Sequence, residues 1–160
     1  MLSVKLICVG RLREKYLIEA FQEYSKRLGA YCKWECLELN EQRLPDEPSE
    51  KEIDAALEKE GAEILKAIPS DAWVCALCVE GRQMPSEGLA ELIRSRENSG
   101  KPKLCFVIGS SCGLSETVKR RADLRLSFSQ MTFPHHLARV MLAEQIYRAF
   151  TILNGSQYHK

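Results

Sequence analysis

Short apolar runs alternate along the chain with longer segments whose apolar residues recur at helical spacing. The runs are rich in β-branched residues and cysteine. Two of them, 73–79 and 104–108, are almost continuously apolar, which is typical of strands buried on both faces. Together the runs predict strands at 3–9, 32–39, 73–79 and 104–108, with a brief fifth strand near 124–126.

The helical segments carry recognisable start signals. Ser49 and Glu52 form a capping-box pattern, and Ser86 and Ser115 are placed to cap two further helices. Gly81 reads as a turn that ends the third strand. The pattern predicts helices at 14–28, 49–68, 86–96 and 136–153, and a short basic helix after residue 115.

The alternation of strands and helices predicts an α/β fold: a mainly parallel sheet flanked by helices on both faces. We see no linker and no repeat, so residues 1–160 are predicted to form a single domain. Ligands in such folds bind at the loops that follow the carboxyl ends of strands. The loops after Val79, Ile108 and Leu126 are therefore the candidate site.

The last helix, 136–153, is apolar around nearly its whole circumference. A helix of this kind needs cover on more than one side. A small domain offers a sheet on one side only, so the pattern predicts a homodimer in which a partner subunit covers the other side. A central core helix is the alternative.

Composition supports one folded domain, because the chain of 160 residues is 45% hydrophobic and 28% charged. The net charge is +1, but the charges are unevenly distributed along the chain. Residues 41–100 carry 7 basic and 14 acidic groups, whereas residues 101–160 carry 9 basic and 3 acidic groups. The basic final third is either a surface for an anion such as nucleic acid or a set of solvated helix faces.

The chain has seven cysteines, and an odd number disfavours a complete disulfide framework. Cys75 and Cys78 have metal-ligand spacing but fall on a predicted strand, where residues three apart point to opposite faces. We therefore expect buried thiols and no metal. No signal peptide or membrane span is apparent, so a cytoplasmic protein is expected.

The segment 109–113, Gly-Ser-Ser-Cys-Gly, follows a buried strand and precedes a helix. It matches the G-x-S-x-G turn of serine hydrolases, with Ser111 as nucleophile, and Asp123 and His135 or His136 follow in order. Asp123, however, falls within the predicted short helix. Alternatively, the loop presents backbone N–H groups to a ligand.

Several motifs taken in order resemble one known family. They are Gly109-x-x-x-Gly113-Leu114, the segment 126–135, the segment 144–149 (Glu-Gln-Ile-Tyr-Arg-Ala) and the terminal Tyr158-His159. They resemble the small SPOUT-class methyltransferases, specifically those that methylate N3 of a pseudouridine in bacterial 23S ribosomal RNA. This resemblance spans nearly the whole chain and is more specific than the hydrolase match.

The resemblance implies a C-terminal trefoil knot, a homodimer, and S-adenosyl-L-methionine held by three loops. In this chain those loops map to Leu77, to Gly109 and to the segment after Leu126. The implied cofactor-binding residues of that last segment are Phe128, Ser129, Gln130, Met131, Thr132 and Phe133.

The implied reaction requires the N3 imide of pseudouridine to lose a proton before it attacks the methyl group. The candidate bases are His135, Tyr158 and His159, with Arg139 and Arg148 orienting RNA or stabilising charge. The tail of one subunit would complete the site of the other. The residues expected to contact the RNA, on a folded surface such as the assembled ribosome, are Lys119, Arg120, Arg121 and Arg125.

One departure from the family pattern concerns Ser110, which stands where the family usually has a second glycine. If that position needs a positive φ, a serine there is strained. Two other functions stay open: a serine hydrolase that uses Ser111, and, if this departure destroys the cofactor site, a ribosome-binding module without enzymatic activity.

Overall fold

Five strands and five helices alternate along the chain, and the computed structural model describes all residues from 1 to 160. The strands are β1 (Ser3–Val9), β2 (Lys33–Leu39), β3 (Trp73–Arg82), β4 (Lys103–Ile108) and β5 (Leu124–Leu126). The helices are α1 (Lys15–Leu28), α2 (Glu50–Ala67), α3 (Ser86–Glu97), α4 (Glu116–Arg121) and α5 (His135–Leu153).

All five strands join one parallel sheet in the order β2-β1-β4-β3-β5. Residues of β1 and β4 alternate between its two faces, so Leu6 and Phe106 lie in one apolar core and Ile7 and Val107 in the other. Helices α1, α3 and α5 cover the first face, whereas α2 and α4 cover the second. The predicted parallel α/β fold, flanked on both faces, is confirmed.

The cysteine pair of β3 follows the same alternation. Cys75 belongs to the core beneath α3 and α5, whereas Cys78 belongs to the core beneath α2 and α4. The prediction that these two thiols point to opposite faces is confirmed. Burial raises the pKa of both thiols, and all seven cysteines are free.

Helix α5 lies on the sheet between α1 and α3. The premise that a chain of this size can offer the helix only a sheet on one side is therefore wrong, because its own helices α1 and α3 also flank α5. The apolar circumference of α5 no longer requires a partner, and the homodimer stays a prediction. None of the helices combines the length and apolarity that crossing a bilayer demands.

The capping predictions have mixed outcomes. Ser49 and Glu52 form the expected reciprocal capping box, and the Ser115 hydroxyl accepts a hydrogen bond from Val118 N at 3.3 Å. The prediction for Ser86 is wrong, because Pro85 occupies the cap position of α3. The Ser86 hydroxyl instead donates to Gln145 Oε1 at 2.7 Å, which ties α3 to α5.

The turn predicted at Gly81 is also wrong, because β3 continues through it to Arg82. A Cβ atom at Gly81 would lie 2.8 Å from the carbonyl carbon of Arg125 in β5. The glycine thus serves close strand approach beside the bulge in the β3–β5 pairing. Sequence patterns read a glycine after an apolar run as a turn because they carry no information about the neighbouring strand.

Candidate active site

A cavity of about 720 Å³ opens at the carboxyl ends of β3, β4 and β5. Its walls come from the segments 77–80, 108–114 and 127–135, together with Lys119 and Ala138. These segments follow or end the three strands whose loops the sequence singles out. The sheet is parallel, so all three strand ends reach the same edge and their loops converge.

Most of the residues expected to bind a cofactor line this cavity. They are Leu77, Gly109, Phe128, Ser129, Met131, Thr132 and Phe133. Gln130 does not line it. Met131 is 73% exposed, which places an apolar side chain at the mouth of the cavity.

Ser127 organises this wall, although it is not among the residues predicted to bind the cofactor. Its buried hydroxyl lies 2.8 Å from the carbonyl oxygen of Val79 and 3.0 Å from that of Ser129. It therefore joins the end of β3 to the segment after β5. A serine directly after a buried strand, at a predicted ligand edge, is the signal that could have found it.

The loop between β4 and α4 is closed on itself. Gly113 has a φ of +90°, and its N–H donates to the carbonyl oxygen of Ser110 at 2.9 Å. At Gly109 a Cβ atom would overlap the Gly113 carbonyl oxygen and lie 2.9 Å from Leu114 Cδ2. Ser110 itself has no positive φ, so the strain considered for a serine at this position is absent.

His135 stands at the start of α5 and lines the cavity. Burial and the neighbouring His136, whose ring centroid is 4.1 Å away, lower the pKa of His135. Its Nε2 atom is buried and has no hydrogen-bond partner. The lowered pKa favours the neutral ring at physiological pH. The Nε2 atom lies beside Gly10, 3.6 Å from the position that a Cβ atom would take there.

Arg139 is not part of the cavity wall. Its side chain is 1% exposed, and it forms an ion pair with Glu38 and donates to the carbonyl oxygen of Gly10 at 2.9 Å. It thus fastens α5 to the ends of β1 and β2. Within one chain, Arg139 therefore has a structural role, which is to hold α5 against these strand ends.

The terminal residues also lie away from the cavity of their own chain. The Tyr158 hydroxyl donates to Glu144 Oε2 at 2.8 Å, and the two imidazole nitrogens of His159 lie 3.1 Å from Arg148 Nη1 and 2.6 Å from Glu87 Oε1. Burial and the Glu144 carboxylate raise the pKa of Tyr158 well above its usual value. The phenol therefore stays protonated and is suited to donating a hydrogen bond rather than to acting as a base.

The serine-hydrolase triad is not assembled. Asp123 lies after α4, not inside it, and its carboxylate accepts a hydrogen bond from Val74 N at 2.8 Å, near the start of β3. Ser111 lines the cavity at the carboxyl ends of β3 and β4. At about 3.3 Å per residue of a strand, this end lies about 15 Å from the start of β3, where Asp123 is bound. The Ser111 and Asp123 side chains therefore face opposite ends of the sheet.

The basic residues around α4 divide into two groups. Lys119 lines the cavity and pairs with Glu80 at 2.6 Å, and Arg121 donates to the carbonyl oxygen of Ala72 at 3.2 Å. Arg120 and Arg125 are exposed. No cluster of His, Cys, Asp and Glu side chains is arranged to hold a metal ion.

Comparison with known proteins identifies the family of this chain. A family model described as "Predicted SPOUT methyltransferase" matches residues 2–159. The chain belongs to the SPOUT methyltransferase family.

Close relatives support the assignment over the full length. Proteins named ribosomal RNA large subunit methyltransferase H from Bacillus pumilus and from Clostridium botulinum are 48% and 50% identical to this methyltransferase. A protein named putative ribosomal RNA large subunit methyltransferase H, from Methanococcus maripaludis, is 45% identical. In each case the match covers 99% of this chain and 100% of the relative.

A solved structure shares the fold. A probable methylase family protein from Haemophilus influenzae Rd KW20 superposes with a TM-score of 0.56. The match covers 100% of this SPOUT methyltransferase and 72% of that protein, at 16% sequence identity.

Proposed function

We propose that this SPOUT methyltransferase transfers a methyl group from S-adenosyl-L-methionine to N3 of a pseudouridine in 23S ribosomal RNA, on the assembled ribosome. The observation that carries the proposal is the full-length match to proteins named ribosomal RNA large subunit methyltransferase H. A ribosomal substrate implies that the protein acts in the cytoplasm. Residues 1–160 would act as a single methyltransferase domain.

The cavity suits the proposed methyl donor. A volume of about 720 Å³ lies within the usual range for small-ligand sites, and apolar walls with a few polar groups are typical of such sites. Leu77, Gly109 and the segment 128–133 would hold the cofactor, with Phe128 and Phe133 against its flat ring. When bound, S-adenosyl-L-methionine supplies an electrophilic methyl group on a sulfonium.

His135 is the residue best placed to handle the proton of the target base. Its neutral ring lines the cavity. Its Nε2 has no other partner but is buried beside Gly10, so binding of the target base would have to open a path to it. A neutral imidazole can accept the N3 imide proton, directly or through one water, as N3 becomes nucleophilic. Lys119, at the same wall, would stabilise the negative charge that develops on the flanking carbonyls by exchanging its contact with Glu80 for one to the substrate.

The second half of the site is proposed to come from a partner subunit. In one chain the tail lies against the middle of α5 and the start of α3, away from the cavity. Two apolar side chains are exposed and suited to cover by a second copy: Met131 at the cavity wall, at 73%, and Leu137 in the first turn of α5, at 38%. A homodimer would place the Tyr158 and His159 of one chain near the cavity of the other. We also propose that the C-terminal part of the chain forms the trefoil knot implied by the family resemblance.

The direct test uses ribosomes from a strain that lacks the enzyme. We expect the purified protein and S-adenosyl-L-methionine to add one methyl group per large subunit, and digestion with mass spectrometry to identify 3-methylpseudouridine. Free 23S RNA serves as the comparison substrate and is expected to react far more slowly. Saturable cofactor binding without any modified nucleoside would contradict the proposed substrate.

Methylation should fall steeply as salt is raised, because Lys and Arg contacts to phosphates release counterions. Arg120 and Arg125 are exposed near the cavity, and changing both to Gln should reduce the slope of log KM for ribosomes against log salt by about two. Arg94→Gln, at an exposed position on α3, is the matched control and should leave the slope unchanged. A slope that the double variant does not alter would place the RNA surface elsewhere.

A further inference from the structure

One carboxylate beneath the cavity is buried without a cationic partner. Glu60, in α2, is 4% exposed. Its Oε1 accepts a hydrogen bond from the Ser110 hydroxyl at 2.9 Å, and its Oε2 accepts one from Gln42 N at 2.9 Å. Burial raises the pKa of Glu60, while these two hydrogen bonds oppose that rise. Burying a carboxylate is costly unless it is hydrogen-bonded, and hydrogen bonds to a charged group are stronger than those between neutral groups. The contacts with Ser110 and Gln42 are therefore important for keeping Glu60 buried.

Both ends of the loop 110–115, hereafter the pocket loop, meet the same point of α2. Ser110 at its start is held by Glu60. At its end, Ser115 packs against Gly61, where a Cβ atom would overlap the Ser115 hydroxyl and lie 3.3 Å from Val118 Cγ2. Consecutive residues of one helix thus fix where the pocket loop begins and where α4 begins.

The hydrogen bond from Ser110 to Glu60 also sets the shape of the cavity wall. With its proton directed to Glu60, the Ser110 oxygen is free to accept from Cys112 N at 3.4 Å. Ser110, Cys112 and Gly113 all line the cavity. A wall that is already ordered spares a ligand the entropy cost of ordering it on binding.

We propose that Glu60 is a positioning residue for methyl-donor binding, holding the pocket loop in its ligand-binding conformation through the hydroxyl of Ser110. The proposal rests on the proposed function, since it takes the cavity as the site of S-adenosyl-L-methionine. It gives the serine that replaces the second glycine of the family pattern a specific role. The same carboxylate links the cavity to the segment after β2 through Gln42.

The test is a double-mutant cycle on the full-length protein, read out by calorimetric titration with S-adenosyl-L-methionine well below the melting temperature. Ser110→Ala and Glu60→Ala should each raise the Kd about tenfold, as expected when a hydrogen bond to a charged group is lost. The double variant should be no weaker than Glu60→Ala alone, because both changes remove the same contact.

Two further variants separate positioning from stability. Glu60→Gln keeps an acceptor for Gln42 N but loses the charge facing Ser110, so its Kd should fall between those of the wild type and Glu60→Ala. Glu58→Gln, at an exposed position on the same helix, is the matched control and should bind as the wild type does. In ribosome methylation, Ser110→Ala should raise the KM for S-adenosyl-L-methionine more than it lowers kcat.

The proposal is overturned if folded Ser110→Ala binds S-adenosyl-L-methionine within about twofold of the wild type, or if the two single effects multiply in the double variant. A lowered melting temperature with an unchanged Kd would show a structural role only, and it would also overturn the proposal. Should Glu60→Ala fail to fold, Glu60→Gln takes its place in the cycle. Wild-type protein that fails to bind the cofactor at all would instead refute the proposed function.

Discussion

Deletion of residues 158–160 is expected to abolish methylation of ribosomes while leaving the Kd for S-adenosyl-L-methionine within about twofold of the wild type. The tail does not line the cavity of its own chain, so the cofactor site loses no wall. The tail does present Tyr158 and His159, whose hydrogen-bonding groups the proposed dimer brings to the target base. The measurements are single-turnover methylation and calorimetry.

The fold should tolerate this deletion. Glu144 and Arg148 pair with each other at 2.7 Å on successive turns of α5, so each keeps a partner when Tyr158 and His159 are removed. Tyr158→Phe dissects the effect, because it keeps the ring against Tyr147 and removes only the hydroxyl. If the truncated enzyme modifies ribosomes at the normal rate, the tail has no part in catalysis.

Gly109→Ala is expected to eliminate measurable S-adenosyl-L-methionine binding and to lower the free energy of unfolding by about 3 kcal/mol or more. The added methyl group would overlap the Gly113 carbonyl oxygen and crowd Leu114. Both obstacles belong to the loop that forms the cavity wall, so relief requires the wall itself to move. Urea denaturation and calorimetric titration measure the two effects.

A second glycine provides the control for backbone strain. Gly100 has a φ of +76°, and a Cβ atom there would meet nothing within 4 Å. Gly100→Ala should therefore cost about 1 kcal/mol from its backbone conformation and leave the Kd unchanged. Equal effects of the two substitutions on binding would contradict the role assigned to the crowded Gly109.

The architecture could be predicted from the sequence because it depends on local periodicity. The apolar runs at Trp73 and Leu104 indicate strands buried on both faces, and such strands require helices on either side. The position of the cavity then follows from the rule for parallel sheets. Those features need only the order of the elements, not their detailed packing.

The errors concern residues whose partners are far away in the chain. Gly81 looks like a turn until β5 is placed beside it, and Ser86 looks like a cap until Gln145 is placed opposite it. Glu60 sits in a charged stretch of α2 that reads as a solvated helix face. Only the packing of the pocket loop against α2 shows that its carboxylate is buried.

Helix α5 has a consequence for how catalytic capacity is distributed between chains. His135 stands at its first turn, beside the cavity, and Arg148, which holds the tail, lies thirteen residues further on, about 20 Å along the axis. Helix α5 therefore keeps the cavity and the tail of one chain apart. In the proposed dimer, a variant that lacks its tail and a variant with a disabled cavity are each inactive alone. A mixed dimer of the two would contain one complete active site, formed by the intact cavity of one chain and the intact tail of the other.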